Sequence, residues 1–353
     1  MFGKRFACRV ILWYYENMKT IKIAINGFGR IGRSFFRVAY GTEGFDIAAI
    51  NDLTDTKTLA YLLKYDSVYG RYPKNIESVA DAIVIDGKSV RVFAEKDPAN
   101  LPWRDLGVDI VVESTGFFTD GAKAKAHLNA GAKRVVITAP GHGDVVTALI
   151  GVNDDRFDGK HSMTCNASCT TNSVAPVMKI LLEHFGVAKA GMVTIHAYTT
   201  NQSVADMPNS KDLRWGRAAA VNIVPSFTGA AEAVIQSIPE LEGKFIASSV
   251  RVPTIVGSLS VTSAVLEKSV TKDDINKVFK DAATSARWSM VVKVTEDPIV
   301  STDIIGEPYG AVIDLSLTKV MGDNLAQVYS WYDNEAGYTA TLVEHVRRVG
   351  LVL

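Results

Sequence analysis

The sequence predicts an α/β fold in two parts: an N-terminal, doubly wound parallel sheet, then an α+β domain on a mixed or antiparallel sheet. Three observations predict it. Short apolar runs alternate with helical patterns through the first half, as in strand–helix–strand units. A G-x-G-x-x-G loop at Gly27, Gly29 and Gly32 follows the first strand pattern and opens the first helix. After a helical stretch beginning near Cys169, the strand-like runs lengthen and helices become sparse. With 353 residues, 47% of them hydrophobic, the chain can bury a large core, as one large or two medium domains.

In order, I-K-I-A-I (Ile21 to Ile25) reads as a buried strand and Ile31 to Tyr40 as a helix. F-D-I-A-A-I (Phe45 to Ile50) is the next strand, and Thr58 to Tyr65 the next helix. Ala82 to Val92 reads as a hairpin turning at Asp86-Gly87. A strand at Val108 to Glu113, a helix at Ala122 to Ala130 and a strand at Arg134 to Thr138 complete the first part. In the second part, G-M-V-T-I-H-A-Y, F-I-A-S-S-V-R-V, S-L-S-V-T-S-A-V, A-V-I-D-L-S-L and A-Q-V-Y-S-W-Y are strand-like. Helical patterns at Thr228 to Leu241 and Lys272 to Ala286 interrupt them, so the helices are expected on one face. A last helix covers about Tyr338 to Val349.

Lys plus Arg and Asp plus Glu both total 38, so the basic footprint of a nucleic-acid binder is absent. The three cysteines, Cys8, Cys165 and Cys169, have no metal-binding spacing, so no metal site is expected. So sparse and odd a count in a long chain points to a reducing compartment, hence the cytoplasm. No apolar run reaches membrane-spanning length, so no membrane partner is expected. Residues 1–17 read as an extension before the fold, with Met18 a natural start and a targeting peptide the weaker reading.

The stretch N-G-F-G-R-I-G-R gives the glycines separate tasks. Gly27 permits the tight turn, Gly29 lets a pyrophosphate approach the backbone, and Gly32 lets helix and strand pack closely. The helix N-terminus then offers free amides to phosphate. Asp52 ends the second strand pattern, twenty residues after Gly32, where a carboxylate can accept from a ribose hydroxyl and repel a 2′-phosphate. Strand, loop, helix and acid in this order predict a Rossmann-type domain that binds NAD rather than NADP; the bland alternatives are a glycine-rich turn and a helix cap.

Cys169 precedes a helical stripe of Val174, Val177, Met178, Leu181, Leu182 and Phe185, and lies off that stripe. Ser168 or a neighbouring Thr can cap the helix. A thiol at a helix N-terminus is expected to have a lowered pKa. His196, ending an apolar strand, is the candidate base, with a surface or satisfied histidine as the ordinary alternative. Cys165 reads as structural.

A-S-C-T-T-N, I-H-A-Y-T-T-N-Q, T-G-A-A-E-A-V, R-V-P-T and W-Y-D-N-E-x-G-Y follow the glycine loop in that order. The chain from about Ile21 onward resembles the glyceraldehyde-3-phosphate dehydrogenase family. The resemblance implies an NAD-binding domain over residues 18–165, joined by a C-terminal helix at 337–353, and a catalytic domain over 166–336. It implies a homotetramer, with the loop from Thr199 to Pro225 near a neighbour's cofactor site. It implies oxidation of glyceraldehyde 3-phosphate through a Cys169 thiohemiacetal and thioester, with His196 as base and inorganic phosphate cleaving the thioester. The Cys169 amide and the His196 imidazole would stabilise the oxyanion.

For the substrate and phosphate anions the resemblance implies Ser168, Thr170, Thr199, Arg214, Thr228, Gly229 and Arg251. Arg251 lies in apolar S-V-R-V-P, whereas Arg214 has Arg217 as a competitor in L-R-W-G-R. For NAD it implies the loop Gly27, Phe28, Gly29, Arg30, Ile31 and Gly32, with Asp52, Lys96, Thr115, Gly116 and Thr138. Asn334 would hold the nicotinamide carboxamide. The chain departs from the family pattern at Ser173, where a second cysteine is usual, and at Ala336, where a bulky Trp is usual. An aspartate often found after R-V-P-T is also missing. The rival readings are an erythrose-4-phosphate dehydrogenase, using water as acyl acceptor, and a binding protein that kept the fold without catalysis.

Overall fold

The computed structural model describes residues 20–353; the extension expected at 1–17 lies outside the described residues. Two sheets carry the fold. The first contains β1 (Ile21–Asn26), β2 (Phe45–Asn51), β3 (Ile76–Val79), β4 (Ala82–Ile85), β5 (Lys88–Phe93), β6 (Ile110–Glu113), β7 (Arg134–Ile137), β8 (Val146–Thr147) and β9 (Met163–Cys165), in the order β3-β4-β5-β2-β1-β6-β7-β9-β8. All its pairings are parallel except β3–β4 and β4–β5. The strand order reverses around β1, whose neighbours are β2 and β6, and the glycine loop leaves the carboxyl end of β1. That crevice is where open α/β sheets bind ligands.

β1 is a near-continuous buried run, as a strand covered on both faces must be. Its core is shared with α1 (Arg30–Ala39) and with the last helix, α8 (Ala336–Leu351): Phe35 and Phe36 pack with Leu342, Val346 and Val349. The predicted hairpin closes at Asp86 and Gly87, both at positive φ (48° and 82°), as a two-residue turn demands. Strands β3 and β8 are absent from the sequence reading. β3 buries only Ile76, and β8 is two residues long, so neither shows an alternating pattern. Helix α2 (Thr56–Lys64) lies between β2 and β3, α3 (Trp103–Leu106) between β5 and β6, and α4 (Gly121–Asn129) between β6 and β7.

The second sheet runs β11 (Val224–Ser226), β12 (Phe245–Val252), β10 (Val187–Ala197), β13 (Ser258–Leu266), β16 (Leu325–Tyr332), β15 (Ala311–Met321) and β14 (Val292–Thr295). It is mixed: β10–β12 and β14–β15 are parallel and the rest antiparallel. Alternate residues of β13 are buried, the pattern of a sheet covered on one face. The covering helices are α5 (Cys169–Phe185), α6 (Ala230–Ser237) and α7 (Lys272–Thr284), whose Met178, Val234 and Phe279 share one core with Met192 and Ala264 of the sheet. Val193 and Ile246 are exposed.

Candidate active site

A cavity of about 600 Å³ opens between the glycine loop and the start of α5. Arg30, Ile31, Thr138, Ser168, Cys169, His196, Thr199 and Asn334, all singled out from sequence, line it. Cys169 is the first residue of α5, and Ser168 is its N-cap. The Ser168 hydroxyl accepts from the Thr171 amide at 3.1 Å, a cap that stabilises a helix by about 1 kcal/mol. His196 is buried near the end of β10, with Nε2 3.4 Å from Cys169 Sγ.

Arg251 of β12 is the register partner of His196. Its Nη1 donates to His196 Nδ1 at 2.6 Å and to the Ala197 carbonyl at 3.0 Å. A guanidinium can only donate, so in this arrangement the imidazole proton is on Nε2, facing the sulfur. The Ala197 carbonyl, 2.7 Å from Nδ1, is the alternative partner once Arg251 turns away. Arg251 has no carboxylate partner among the described residues, and its buried Nε bonds to nothing. A half-buried cation in that state calls for an anion.

The charge balance differs from the sequence expectation. Burial pushes the Cys169 thiol up, against the Arg251 charge and the hydrogen bonds of Thr170, so the helix terminus does not win. Burial first, then Arg251, takes His196 down to about 3, against the Ala197 carbonyl. Each charge alone is disfavoured, and with Arg251 on Nδ1 the Nε2–H imidazole cannot take the thiol proton; that transfer requires the ring proton to sit on Nδ1 against the Ala197 carbonyl.

The glycine loop fits a dinucleotide by its backbone. Gly27 has φ 89°, and a Cβ there would meet the Thr115 amide at 2.7 Å. A Cβ on Gly32 would lie 2.1 Å from the Gly27 carbonyl, whereas one on Gly29 meets nothing within 4 Å. No side chain caps α1, so its first amides stay open to a phosphate. Asp52 takes the Phe28 amide at 2.7 Å and the Thr54 amide at 2.9 Å, which fixes its carboxylate beside the loop. Phe28 is otherwise a core residue. Asn334 Oδ1 already accepts from the Gly257 amide and the Ser258 hydroxyl, both at 3.1 Å. Its remaining role is therefore to donate from Nδ2, which is half of the match expected for a carboxamide.

Other predicted residues are placed differently from the simplest expectation. The Arg30 side chain is engaged by Asp66 at 2.6 Å and by Glu335, leaving only its amide for a ligand. The Thr115 hydroxyl donates to buried Glu113 at 2.5 Å. Gly116, at φ 76°, borders open space, and Lys96 is exposed. Thr170 is buried, its hydroxyl 3.0 Å from Tyr332 Oη. Thr228 Oγ1 accepts from the Ala230 amide at the start of α6, whose N-cap is Gly229. Arg214 is exposed and forks onto Asp212, and Arg217 pairs with Asp206, so neither lines the cavity.

Sequence reasoning missed Tyr332, whose ring meets His196 edge-on at 5.8 Å, and Ser258, which joins the Ala197 amide to Asn334. Two-residue alternation along β16 and β13 points both inward, and this signal was available. Among the described residues, no cluster could hold a metal ion and no helix is long and apolar enough to cross a membrane.

The family profile "Glyceraldehyde 3-phosphate dehydrogenase, NAD binding domain" matches residues 21–121, and "Glyceraldehyde 3-phosphate dehydrogenase, C-terminal domain" matches 168–334. The glyceraldehyde-3-phosphate dehydrogenase of Clostridium acetobutylicum is 50% identical over 326 residues, covering 91% of this chain and 96% of that protein. Its namesake from Thermotoga maritima is 49% identical over 325 residues, with 92% and 97% covered. The one from Mycobacterium avium is 48% identical over 338 residues, with 94% and 99% covered. The chain belongs to the glyceraldehyde-3-phosphate dehydrogenase family of NAD-dependent oxidoreductases.

Proposed function

We propose that this chain catalyses the phosphorylating oxidation of glyceraldehyde 3-phosphate to 1,3-bisphosphoglycerate, with NAD as cofactor. The observation that carries this reading is the 3.4 Å contact between Cys169 Sγ and His196 Nε2, in a cavity that also reaches Ile31 and Asn334. NAD would be held by the amides that open α1, by Asp52 at a ribose and by Asn334 Nδ2 at the carboxamide. When bound, NAD supplies the hydride acceptor.

Cys169 Sγ forms a bond to the aldehyde carbon, and the thiol proton ends on the former carbonyl oxygen. His196 Nε2 removes that proton as the C–H electron pair departs, leaving a thioester on Cys169. For this, the ring proton must move to Nδ1, against the Ala197 carbonyl, so Arg251 must leave Nδ1. A phosphate oxygen gives the Arg251 fork a better partner than an imidazole. Inorganic phosphate then attacks the thioester carbon, the C–S bond breaks, and the sulfur leaves with its electron pair. Ser168 and Thr199, on the cavity wall, and Arg251 are the groups proposed for the two anions. Arg214, Thr228 and Gly229 would join them only by movement of their loops.

The assigned domains are residues 18–165 with 337–353, and 166–336. The first sheet ends at Cys165, and α8 shares the core of α1, which supports that division. A cytoplasmic homotetramer is proposed too. Association with further copies is supported by Leu213, Val221, Ile223 and Phe227, apolar side chains between 72% and 84% exposed on and beside one loop. Sedimentation at micromolar concentration tests it, and a monomer there would rule it out. The reaction is tested by NADH formation from glyceraldehyde 3-phosphate with phosphate present and omitted. A rate independent of phosphate, and higher with erythrose 4-phosphate, would overturn it.

A further inference from the structure

Ala167 is fully buried yet holds a left-handed backbone, φ 49°. Among the described residues, the one other non-glycine residue with positive φ is Asp86, in the exposed hairpin turn. An aspartate can relieve that conformation by local hydrogen bonding, whereas an alanine cannot. Such a bend persists only where its surroundings over-determine it. Here each carbonyl from Asn166 to Ser168 has a donor. Asn172 Nδ2 donates to Asn166 O at 2.7 Å and to Ser168 O at 3.0 Å. The Tyr338 hydroxyl donates to Ala167 O at 3.2 Å. Asn166 Nδ2 in turn donates to Thr341 Oγ1 at 3.0 Å. Tyr338 and Thr341 lie one turn apart on α8, so the last helix grips the two residues that lead into α5.

We propose that the Ala167 bend and the Tyr338 hydroxyl that holds it are positioning elements for the Cys169 sulfur. The inference rests on Cys169 being the nucleophile. The sulfur is only two bonds from the backbone, and the bend sets the direction in which the chain enters the first turn of α5. A small rotation there moves Sγ off its line to His196 Nε2. Rates are steep in such displacements, about 100-fold for 1 Å. The bend also explains why the last helix touches the nucleophile's approach with polar side chains rather than apolar ones: a carbonyl turned inward by a left-handed residue needs a donor.

Two variants of the full chain test this. Ala167→Gly accepts φ 49° without a steric penalty, so the fold survives, but the backbone is freed to other conformations. Tyr338→Phe keeps the ring and removes only the donor. For each, kcat, the KM for NAD, the rate of Cys169 alkylation by iodoacetamide and the melting temperature are measured. Ala167→Gly is expected to lower kcat and the alkylation rate together by about tenfold, with the KM for NAD and the melting temperature nearly unchanged. Tyr338→Phe should act in the same direction by about threefold, and the double variant should be no worse than Ala167→Gly alone, because both act through one carbonyl. Unchanged kcat and alkylation in both variants would overturn the inference, as would losses that merely track the fraction unfolded. Full turnover by Cys169→Ser would instead sink the parent reading of the nucleophile, so the two failures are distinguishable.

Discussion

Two helices point their N-termini into the same cleft and are finished in opposite ways. α1 begins at Gly29 with no side chain capping its amides, whereas α5 begins under the Ser168 hydroxyl. The first terminus leaves its donors open, as a site for a ligand anion must. The second spends a donor on its own cap and uses the resulting rigidity to fix a sulfur. Reading a helix start for function therefore means asking what satisfies its first amides, beyond noting that a positive dipole end is present.

The contrast can be broken hardest at the capped terminus. Cys169→Ser should lower turnover by at least about 1,000-fold, because the weak hydroxyl nucleophile replaces the thiolate. NAD binding, followed by fluorescence titration, should persist. Next in size, His196→Asn should cost about 100- to 10,000-fold in kcat, the usual span for a positioned base; steady-state rates between pH 6 and 9 check it.

At the uncapped terminus, the glycines separate packing from binding. Gly32→Ala forces a Cβ to 2.1 Å from the Gly27 carbonyl and should cost about 1–3 kcal/mol of stability, read as a lower denaturant midpoint. Gly29→Ala meets no protein atom within 4 Å, so its stability should hold while the KM for NAD rises about tenfold. Equal melting losses in the two variants would erase the distinction.

The last effect, small at neutral pH, concerns α8, which braces both regions. His345 is buried, its Nε2 2.8 Å from Thr164 Oγ1, and burial takes its pKa from 6.5 down to about 3. The unfolded chain binds that proton first, so stability is intact above pH 6.5 and falls as pH drops toward 3. The loss is about 1.4 kcal/mol per pH unit. Denaturant midpoints at pH 7.5, 6 and 5 should fall in wild type and fall less steeply in His345→Gln.

Most of the first sheet and the glycine loop were legible because their signals are local. The strand at Ile21, the loop glycines and Asp52 lie within one short segment, and each carries its own chemical reason. The helix that starts at Cys169 and its cap were legible for the same reason. What escaped was anything set by neighbours distant in sequence. The sign of the Cys169 shift depends on what buries it, and the Arg251–His196 contact depends on the register of β10 against β12. The commitment of Arg214 to Asp212 and the left-handed turn at Ala167 leave no mark in a residue pattern.

The clasp of Arg30 by Asp66 and Glu335 has a consequence for how the cofactor comes and goes. A guanidinium already paired with two carboxylates offers no long-range pull on a dinucleotide, so what Arg30 has left for a phosphate is its backbone amide. If the nucleotide binds here, salt should weaken its binding less than it would with a free arginine at residue 30, and a carrier that must depart after each cycle is not held by this side chain.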